Sequence, residues 1–153
     1  MREPPSKESL RLWLRLLSST NLLEQQIRSR LRKRFNITLP QFDVLADLER
    51  AKKAQTMTEL SRGLMVSNGN ITGVVDRLVR EGFVKRRVST DDRRIQYITL
   101  TTKGRRTFDK MAKAHEEWIA ELFSGLTPVE IRKLTGQLRH VKTCIRETMA
   151  DSH

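Results

Sequence analysis

Hydrophobic residues recur every three or four positions through the first third of the chain, which is the spacing of amphipathic helices. Residues 8–35 carry eight such positions: Leu10, Trp13, Leu17, Ile27 and Leu31, widened by Leu12, Leu16 and Leu23. The width of this stripe predicts one long helix that is buried on more than one side. Pro40 suits the first position of a second helix, which Phe42, Leu45 and Leu48 continue to about residue 52. The segment AKKAQ that follows is predicted to be a loop.

The segment TMTELSRGLMVSNGNITGVVDRLVREG, residues 56–82, has the signals of two short helices joined by a tight turn. Thr56 and Glu59 have the spacing of a capping box, which opens the first helix. Ser67 is predicted to cap the second helix, and Gly82 stands where a helix ends in the left-handed conformation. Two apolar residues occupy the positions of a hydrophobic staple around the second cap, Val66 and Ile71.

The second of these helices has one apolar face and one polar face. The apolar face consists of Ile71, Val74, Val75, Leu78 and Val79. The polar face carries Ser67, Asn68, Asn70, Gly73, Arg77 and Arg80. A slender, polar and cationic face suits a helix that enters the major groove of DNA. The alternative is a face that is only solvated.

A hairpin follows, because the segments FVKRRV and IQYITL are rich in β-branched and aromatic residues and flank the polar tip STDDRR. In this tip Asp92 precedes Arg94 by two positions. On an extended strand the two side chains would share a face, so the carboxylate could hold the guanidinium in a bidentate pair. An arginine aimed in this way suits a narrow minor groove. The alternative is a polar turn whose charges pair without consequence.

The last third of the chain predicts two more helices. Residues 102–124 form a strongly amphipathic one, with Phe108, Met111, Ala112, His115, Trp118, Ile119, Leu122 and Phe123 on its apolar side. Thr127, Pro128 and Glu130 open the other in capping-box register. Its apolar positions alternate steps of three and four, the pattern of helices that pack against helices: Ile131, Leu134, Leu138, Val141 and Ile145.

The amino-acid composition indicates which kind of partner the protein binds. The 153 residues include 30 Lys and Arg against 18 Asp and Glu, a net charge of +12 that attracts polyanions such as nucleic acid. With 37% hydrophobic and 31% charged residues, there is little apolar surplus per helix, so a second core shared with another chain is expected. No apolar run approaches the roughly 20 residues of a membrane span, and MREPPSKE has no signal-peptide core. The chain is expected to be cytoplasmic, with no membrane partner.

Candidate catalytic and metal chemistry is sparse. Cys144 is the single cysteine, so no internal disulfide or thiolate cluster can form, and no activating partner is evident in its sequence neighbourhood. His115, Glu116, Glu117 and the distant His140 lack the usual spacing of paired metal ligands, and a packed or solvated histidine is favoured. There is no phosphate-binding glycine loop and no nucleophile elbow. We therefore expect no enzyme, no metal and no cofactor.

The order of elements resembles the MarR family of bacterial winged-helix transcription regulators, over residues 10–148. The most specific matches are TELSRGLMVSNGNITGVVDRLVREGFVKR, with the recognition helix, and DDRRIQYITLTTKG, with the wing. One departure matters. Many members carry a cation directly after the residue equivalent to Thr72, where this chain has Gly73. A direct guanine contact from that position is lost, so more of the reading falls to Ser67, Asn68, Asn70 and the wing.

The resemblance implies a mainly α (α+β) fold in a single MarR-type domain, residues 1–153. Within it, residues 39–100 form a winged helix-turn-helix DNA-binding region, and residues 8–35 and 102–150 form a helical dimerisation layer. The implied function is a homodimeric, sequence-specific repressor on a palindromic operator in double-stranded DNA. The DNA-binding residues expected are Thr58, Ser67, Asn68, Asn70, Thr72, Arg77, Arg80, Arg86, Asp92, Arg93 and Arg94. The alternative is a constitutive architectural DNA-binding protein.

Residues 12–50 resemble more narrowly a subgroup of these regulators that respond to aromatic acyl-CoA thioesters, such as hydroxycinnamoyl-CoA, and would connect the protein with aromatic catabolism. Trp13 and Phe42 could line an apolar slot for the aromatic ring. Several cations could bind the CoA phosphates: Arg28, Arg30, Arg32, Lys33 and Arg34. The alternatives are an effector that is the free aromatic compound, or a basic helix that only attracts DNA and a tryptophan that only packs in a core.

Overall fold

The computed structural model describes residues 7–64 and 70–152. They form mainly helices with one small antiparallel sheet, in which β3 lies between β1 and β2. The predicted fold class is confirmed. The chain divides into two units, residues 1–116 and 117–153. The elements are α1 (Lys7–Phe35), α2 (Leu39–Ala51), β1 (Gln55–Thr56), α3 (Met57–Gly63), α4 (Ile71–Arg80), β2 (Val84–Val88), β3 (Gln96–Leu100), α5 (Thr102–Leu122) and α6 (Pro128–Asp151).

Helix α2 starts at a complete capping box. The Gln41 amide donates to Thr38 Oγ1 at 3.3 Å, and the Thr38 amide donates to Gln41 Oε1 at 2.8 Å. Because Thr38 is the cap, Pro40 lies at the second helical position rather than the predicted first. Proline is tolerated there, since the amides of the first turn have no partner within the helix.

The helix-turn-helix begins at Thr56, whose Oγ1 accepts the Glu59 amide at 3.1 Å and caps α3. Thr56 also ends β1, a strand that the sequence analysis assigned in part to a loop. With only two residues, β1 has no alternating pattern of its own and is defined by its pairing with β3. The cap of α4 is Asn70, which accepts the Gly73 amide at 3.2 Å. The predicted cap at Ser67 is therefore wrong; Ser67, with Val66 of the predicted staple, lies outside the described residues.

The end of α4 forms a Schellman motif around Gly82, as predicted. Gly82 has a φ of +79°, and its amide donates to the Val79 carbonyl at 3.0 Å while the Phe83 amide donates to the Leu78 carbonyl at 2.9 Å. This conformation turns the chain sharply into β2.

Helix α5 starts against the same turn. Thr101 Oγ1 donates to the Gly82 carbonyl at 2.6 Å and accepts the Gly104 amide at 2.9 Å. A Cβ on Gly104 would lie 1.9 Å from the Phe83 carbonyl oxygen. Only glycine fits at residue 104, and the glycine lets α5 begin in contact with the entry to the wing.

The core of the first unit is built from the C-terminal half of α1, from α2, from the winged region and from the first part of α5. Its fully buried side chains include Leu31, Leu45, Leu60, Leu78 and Ile98. On α4, Val75 and Leu78 are buried, whereas Ile71, Val74 and Val79 of the predicted stripe are half-buried. This stripe faces the core as expected, with its edges partly open.

The first half of α1 departs from the prediction. Leu10 and Trp13 are each 56% exposed, and Leu14 is 51% exposed. Only Ile27 and Leu31 of this helix are buried. The prediction of burial on more than one side is wrong for the single chain, because its first half has no cover there.

In the second unit, Thr127 and Glu130 form the predicted capping box of α6 in both directions. The apolar row of this helix is exposed: Ile131, Leu134, Leu138 and Ile145 are 40% to 54% exposed, and Val141 is half-buried. A well-capped helix thus presents a line of aliphatic side chains to solvent.

Candidate functional site

The polar face of α4 is open in the part that the structure describes. Asn70, Thr72 and Arg80 are exposed, and so is Thr58 on α3. Arg77 is half-buried, and its Nε donates to Glu81 Oε1 at 3.1 Å. Ser67 and Asn68 lie outside the described residues. A polar, unobstructed helix face is what entry into a major groove requires.

Arg86 occupies a different position from the other predicted DNA contacts. It lies on β2, and its guanidinium donates to Asp76 Oδ1 on α4. The ion pair joins the wing to the recognition helix. Arg86 therefore positions these two elements relative to each other, a role that sequence spacing did not indicate because the partners are brought together only by the fold.

The tip of the wing, residues 89–95, is a folded turn. The Ser89 amide donates to the Ile95 carbonyl at 2.9 Å, and the Ile95 amide donates to the Asp92 carbonyl at 3.0 Å. Ser89 Oγ accepts the amides of Asp91 and Asp92 at 3.2 and 3.3 Å. The backbone of the tip is thus held by its own hydrogen bonds.

Asp92 and Arg94 form the predicted bidentate pair. Arg94 Nε and Nη2 donate to Asp92 Oδ1 and Oδ2 at 3.1 and 3.2 Å, and the Arg94 amide donates to Oδ1 at 3.0 Å. These bonds from Arg94 hold the pKa of Asp92 below its usual value. The Arg94 side chain is still 90% exposed. The pair lies in the turn, not on an extended strand as predicted, because the three bonds to one carboxylate close a local loop. Arg93 beside it is also exposed.

A cavity of about 510 Å³ lies among α1, α2 and α5 within the first unit. Its aromatic wall consists of Phe42, Phe108 and His115. The Phe42 ring centroid lies 5.0 Å from that of His115 and 5.7 Å from that of Phe108. Leu23, Ile27 and Leu39, with Ala46 and Ala112, complete the apolar lining. The cavity can accommodate a small aromatic molecule.

The polar groups of this cavity were not recognised in the sequence. Glu24, Asp43 and Arg50 line it. Burial and, to a smaller extent, the nearby Glu24 raise the pKa of Asp43 to about 6, although Arg28 and Arg50 oppose the change. Burial also lowers the pKa of His115. An isolated aspartate on a helix carries no signal for burial, because its environment depends on how three helices meet.

The predicted ligand residues are not brought together. Phe42 lines the cavity, whereas Trp13, Arg28, Arg30 and Arg32 are not among the described residues that line it. Trp13 precedes the first lining residue, Thr20, by about two helical turns, or about 10 Å along α1. Arg28 and Arg32 are exposed, and Arg28 lies 3.5 Å from Glu24. This cavity therefore does not join these residues in the common slot expected from the sequence.

Two further expectations concern metals and Cys144. Among residues 7–64 and 70–152, no group of three or more potential metal-binding side chains occurs. Cys144 Sγ lies 3.6 Å from His140 Nε2, a neighbour that the sequence spacing had not linked to this thiol. The two residues are four apart on α6 and share a face.

No helix in the described part of the chain is long and apolar enough to cross a membrane.

These features define a winged helix-turn-helix DNA-binding protein. The model of the MarR family matches residues 37–96. The chain is 36% identical over 116 residues to the uncharacterized HTH-type transcriptional regulator YkoM of Bacillus subtilis (strain 168), covering 76% of this chain and 73% of YkoM. The chain belongs to the MarR family and is a DNA-binding transcriptional regulator; its homologues and fold are not those of enzymes.

Solved structures agree. A MarR family transcriptional regulator from Silicibacter pomeroyi is 28% identical, with a TM-score of 0.80 over 94% of this chain and 99% of that one. Sco3205 of Streptomyces coelicolor, a MarR family regulator solved in complex with DNA, has the same fold at 23% identity, with a TM-score of 0.76 over 93% of this chain and 90% of its own. The predicted family is confirmed, and the narrower resemblance to acyl-CoA-responsive regulators stays a hypothesis.

The wing geometry predicts coupling between Asp92 and Arg94 in DNA binding. Arg94→Ala should weaken binding to a duplex selected from a random-sequence library by about 1 to 3 kcal/mol. Asp92→Ala should lose part of that binding free energy, because the Arg94 side chain is no longer held in position. The loss in the double variant should be much smaller than the sum of the two single losses. Titrations at one fixed salt concentration measure the cycle. The cycle of Asp92→Ala with Arg93→Ala is the control and should be additive; additivity in both cycles would refute the pairing role.

Asp43 predicts a specific pH dependence of stability. Its pKa is about 6 in the folded chain against an ordinary 3.8, so the stability gained from its protonated form is complete below pH 3.8 and is lost as pH rises through 6. Asp43→Asn keeps a neutral group. After a discount for partial exposure, it should raise the free energy of unfolding by roughly 1 to 2 kcal/mol at pH 7, and by little at pH 4. Urea unfolding at both pH values measures this. The exposed Asp109→Asn is the matched control, and an equal effect of Asp43→Asn at both pH values would contradict the assignment.

Proposed function

We propose that the protein is a homodimeric repressor that binds a palindromic operator and is released by an aromatic effector. Two observations together carry this proposal: the exposed apolar row of α6, and a wing whose Arg94 is oriented by Asp92 and exposed to solvent. Burial of the apolar row would favour pairing with another copy of the chain. The oriented arginine would let each copy contact DNA.

The dimer would be built from two exposed apolar surfaces. One is the α6 row defined by Ile131, Leu134, Leu138 and Ile145. The other is the first half of α1, with Leu10, Leu12, Trp13, Leu14 and Leu17 all 39% to 56% exposed. Burial of apolar area contributes about 25 cal/mol per Å², and contiguous exposed apolar surface is characteristic of an interface. Residues 8–35 and 102–150 would then form the dimerisation region, with residues 39–100 as the DNA-binding region.

A two-fold dimer presents two copies of α4 and two wings to one duplex. Because an isologous dimer carries the symmetry of a palindrome, half-sites about one helical turn apart would each receive one recognition helix. Asn70, Thr72 and Arg80 would contact the major groove, with Arg94 in the flanking minor groove. Ser67 and Asn68, predicted from the sequence, belong to the same proposed contact set.

The effector is proposed to enter the cavity between α1, α2 and α5. This cavity lies where helices of the proposed dimerisation region meet the first helix of the DNA-binding region. A ligand shifts a regulator only by binding one arrangement better than another. The effector would therefore favour a spacing of the two wings that no longer fits the operator.

A CoA thioester of an aromatic acid is the finer form of this hypothesis. Its aromatic part would occupy the cavity beside Phe42, and its phosphates would reach exposed cations at the end of α1, including Arg28 and Arg32. What supports it is the density of positive charge at Arg28, Arg30 and Arg32; Trp13, which lies away from the cavity, is not required. The other candidate function, a constitutive architectural DNA-binding protein, is favoured only by the net charge of +12.

The dimer predicts a matched effect on assembly and DNA affinity. Leu138→Glu should place an uncompensated charge in the interface, so dimerisation and operator affinity should weaken together. Thr143→Glu adds the same charge on the opposite side of α6 and should change little. Sedimentation measures assembly. With about ten phosphates contacted, the slope of log affinity against log salt should be near −9. A wild-type monomer at micromolar concentration would contradict the interface.

Release from the operator tests the repressor. A footprint on a selected duplex should be sharp and should fade with a metabolite from a panel of aromatic compounds, their acids and their CoA thioesters. If the effector is a thioester, the Arg28→Gln, Arg30→Gln, Arg32→Gln triple variant should lose the response more than it loses DNA binding. Uniform protection of any duplex, without release, would favour the architectural function instead.

A further inference from the structure

The cavity contains a carboxyl group whose hydrogen bonding is incomplete. Asp43 is partly buried in its lining. Within residues 7–64 and 70–152, no group donates a hydrogen bond to its Oδ2, and that oxygen is buried. A buried acceptor without a partner costs free energy, and this cost is larger for a charged group. A ligand that supplies a donor to this carboxyl would offset the cost.

The charges around Asp43 do not supply that donor. From α1, Glu24 also lines the cavity and is paired with Arg28 at 3.5 Å. From α2, Arg50 is directed to Asp47 at 3.8 Å, with 66% of its side chain exposed. From α5, His115 has a pKa lowered by burial, which favours its neutral form. The described lining thus carries two carboxylates and one cation. Although the whole chain has a net charge of +12, an anion that enters this cavity lies beside carboxylates.

The aromatic wall and this carboxyl line the same cavity. Phe42 precedes Asp43 on α2, and its ring contacts those of Phe108 and His115. We propose that the cavity selects an aromatic ligand that presents a hydrogen-bond donor, cationic or neutral, to the carboxyl group of Asp43, and that it discriminates against aromatic carboxylates. This inference rests on the proposed role of the cavity as the effector site, and it names the chemical class of the effector.

The protonation state of Asp43 is consistent with that class. With a pKa of about 6, the group is mostly ionised at pH 7.5 and is a strong acceptor for an ammonium, a hydroxyl or an N–H group. A carboxylate ligand would bring a second negative charge beside Asp43 and Glu24. A thioester has no such charge on its acyl group, so a thioester of a hydroxylated aromatic acid fits this cavity better than the free acid.

Four probes with one ring system separate these cases: 2-naphthylmethylamine, 2-naphthalenemethanol, 2-methylnaphthalene and 2-naphthoate. Calorimetry or NMR titration of the full chain at pH 7.5 measures each affinity. We expect the amine to bind at least about tenfold more tightly than naphthoate. The alcohol should lie between them, and methylnaphthalene should bind more weakly than the alcohol. Naphthoate binding as tightly as the amine would overturn the proposal, and so would failure of all four probes to bind.

Variants assign the selectivity to Asp43. Asp43→Asn removes the charge and introduces an amide donor, so the ratio of amine to naphthoate affinity should fall at least about tenfold and naphthoate should bind more tightly than before. Asp109→Asn, an exposed change of the same kind on α5, should leave the ratio unaltered. An unaltered ratio in a folded Asp43→Asn chain would overturn the assignment.

The same probes distinguish failure of this inference from failure of the proposed function. If the probes bind with the expected selectivity but none releases the selected duplex, the ligand class stands and the regulatory role of the cavity fails. If naphthoate binds preferentially and releases the duplex, the regulatory role stands and the ligand class fails.

Discussion

The junction at Gly104 is the constraint on which the DNA-binding surface depends. Helix α5 begins so close to the Phe83 carbonyl that no side chain fits at residue 104, and Thr101 joins the Gly82 carbonyl to the first turn of α5. Gly82 ends the recognition helix in the left-handed conformation at the same place. The recognition helix, the wing and α5 therefore meet at one junction. The contacts at this junction restrict the directions of the three elements relative to one another. The Asp76–Arg86 ion pair adds a second connection between α4 and the wing.

Three aspartates in this basic chain have three different roles, and their surroundings explain each. Asp92 is bonded by Arg94 and orients an exposed guanidinium. Asp76 pairs with Arg86 and connects two elements of the winged region. Asp43 is partly buried, and its Oδ2 has no hydrogen-bond partner among the described residues; burial and the nearby Glu24 raise its pKa to about 6. In the proposed DNA-binding region, a carboxylate would weaken DNA binding unless it served an adjacent cation, as Asp92 and Asp76 do.

Buried and exposed apolar residues lie in different parts of the molecule. The winged region buries its aliphatic side chains completely at Leu60, Leu78 and Ile98, because sheet and helices cover one another. The first half of α1 and the row on α6 remain open in the single chain. Their helical periodicity is as regular as that of the buried helices. The two apolar surfaces have the pattern of packed helices, but they are exposed in the described part of the chain. This is the reason for proposing that a second copy of the chain covers them.

Local signals in the sequence predicted most of the elements and part of the site. Caps at Thr56 and Thr127 and the left-handed Gly82 involve groups within a few residues, so spacing alone determines them. The bidentate Asp92–Arg94 pair was also predicted from spacing, although its turn geometry was not. What only the tertiary structure decided involves groups far apart in sequence. Strand β1 exists through its pairing with β3, Arg86 is engaged by Asp76, and the aromatic cavity with Asp43 arises where three helices meet. The sequence by itself placed Trp13 and the arginines of α1 in one ligand slot with Phe42. The fold separates them, because the rise of α1 carries Trp13 away from the cavity and the arginines do not line it.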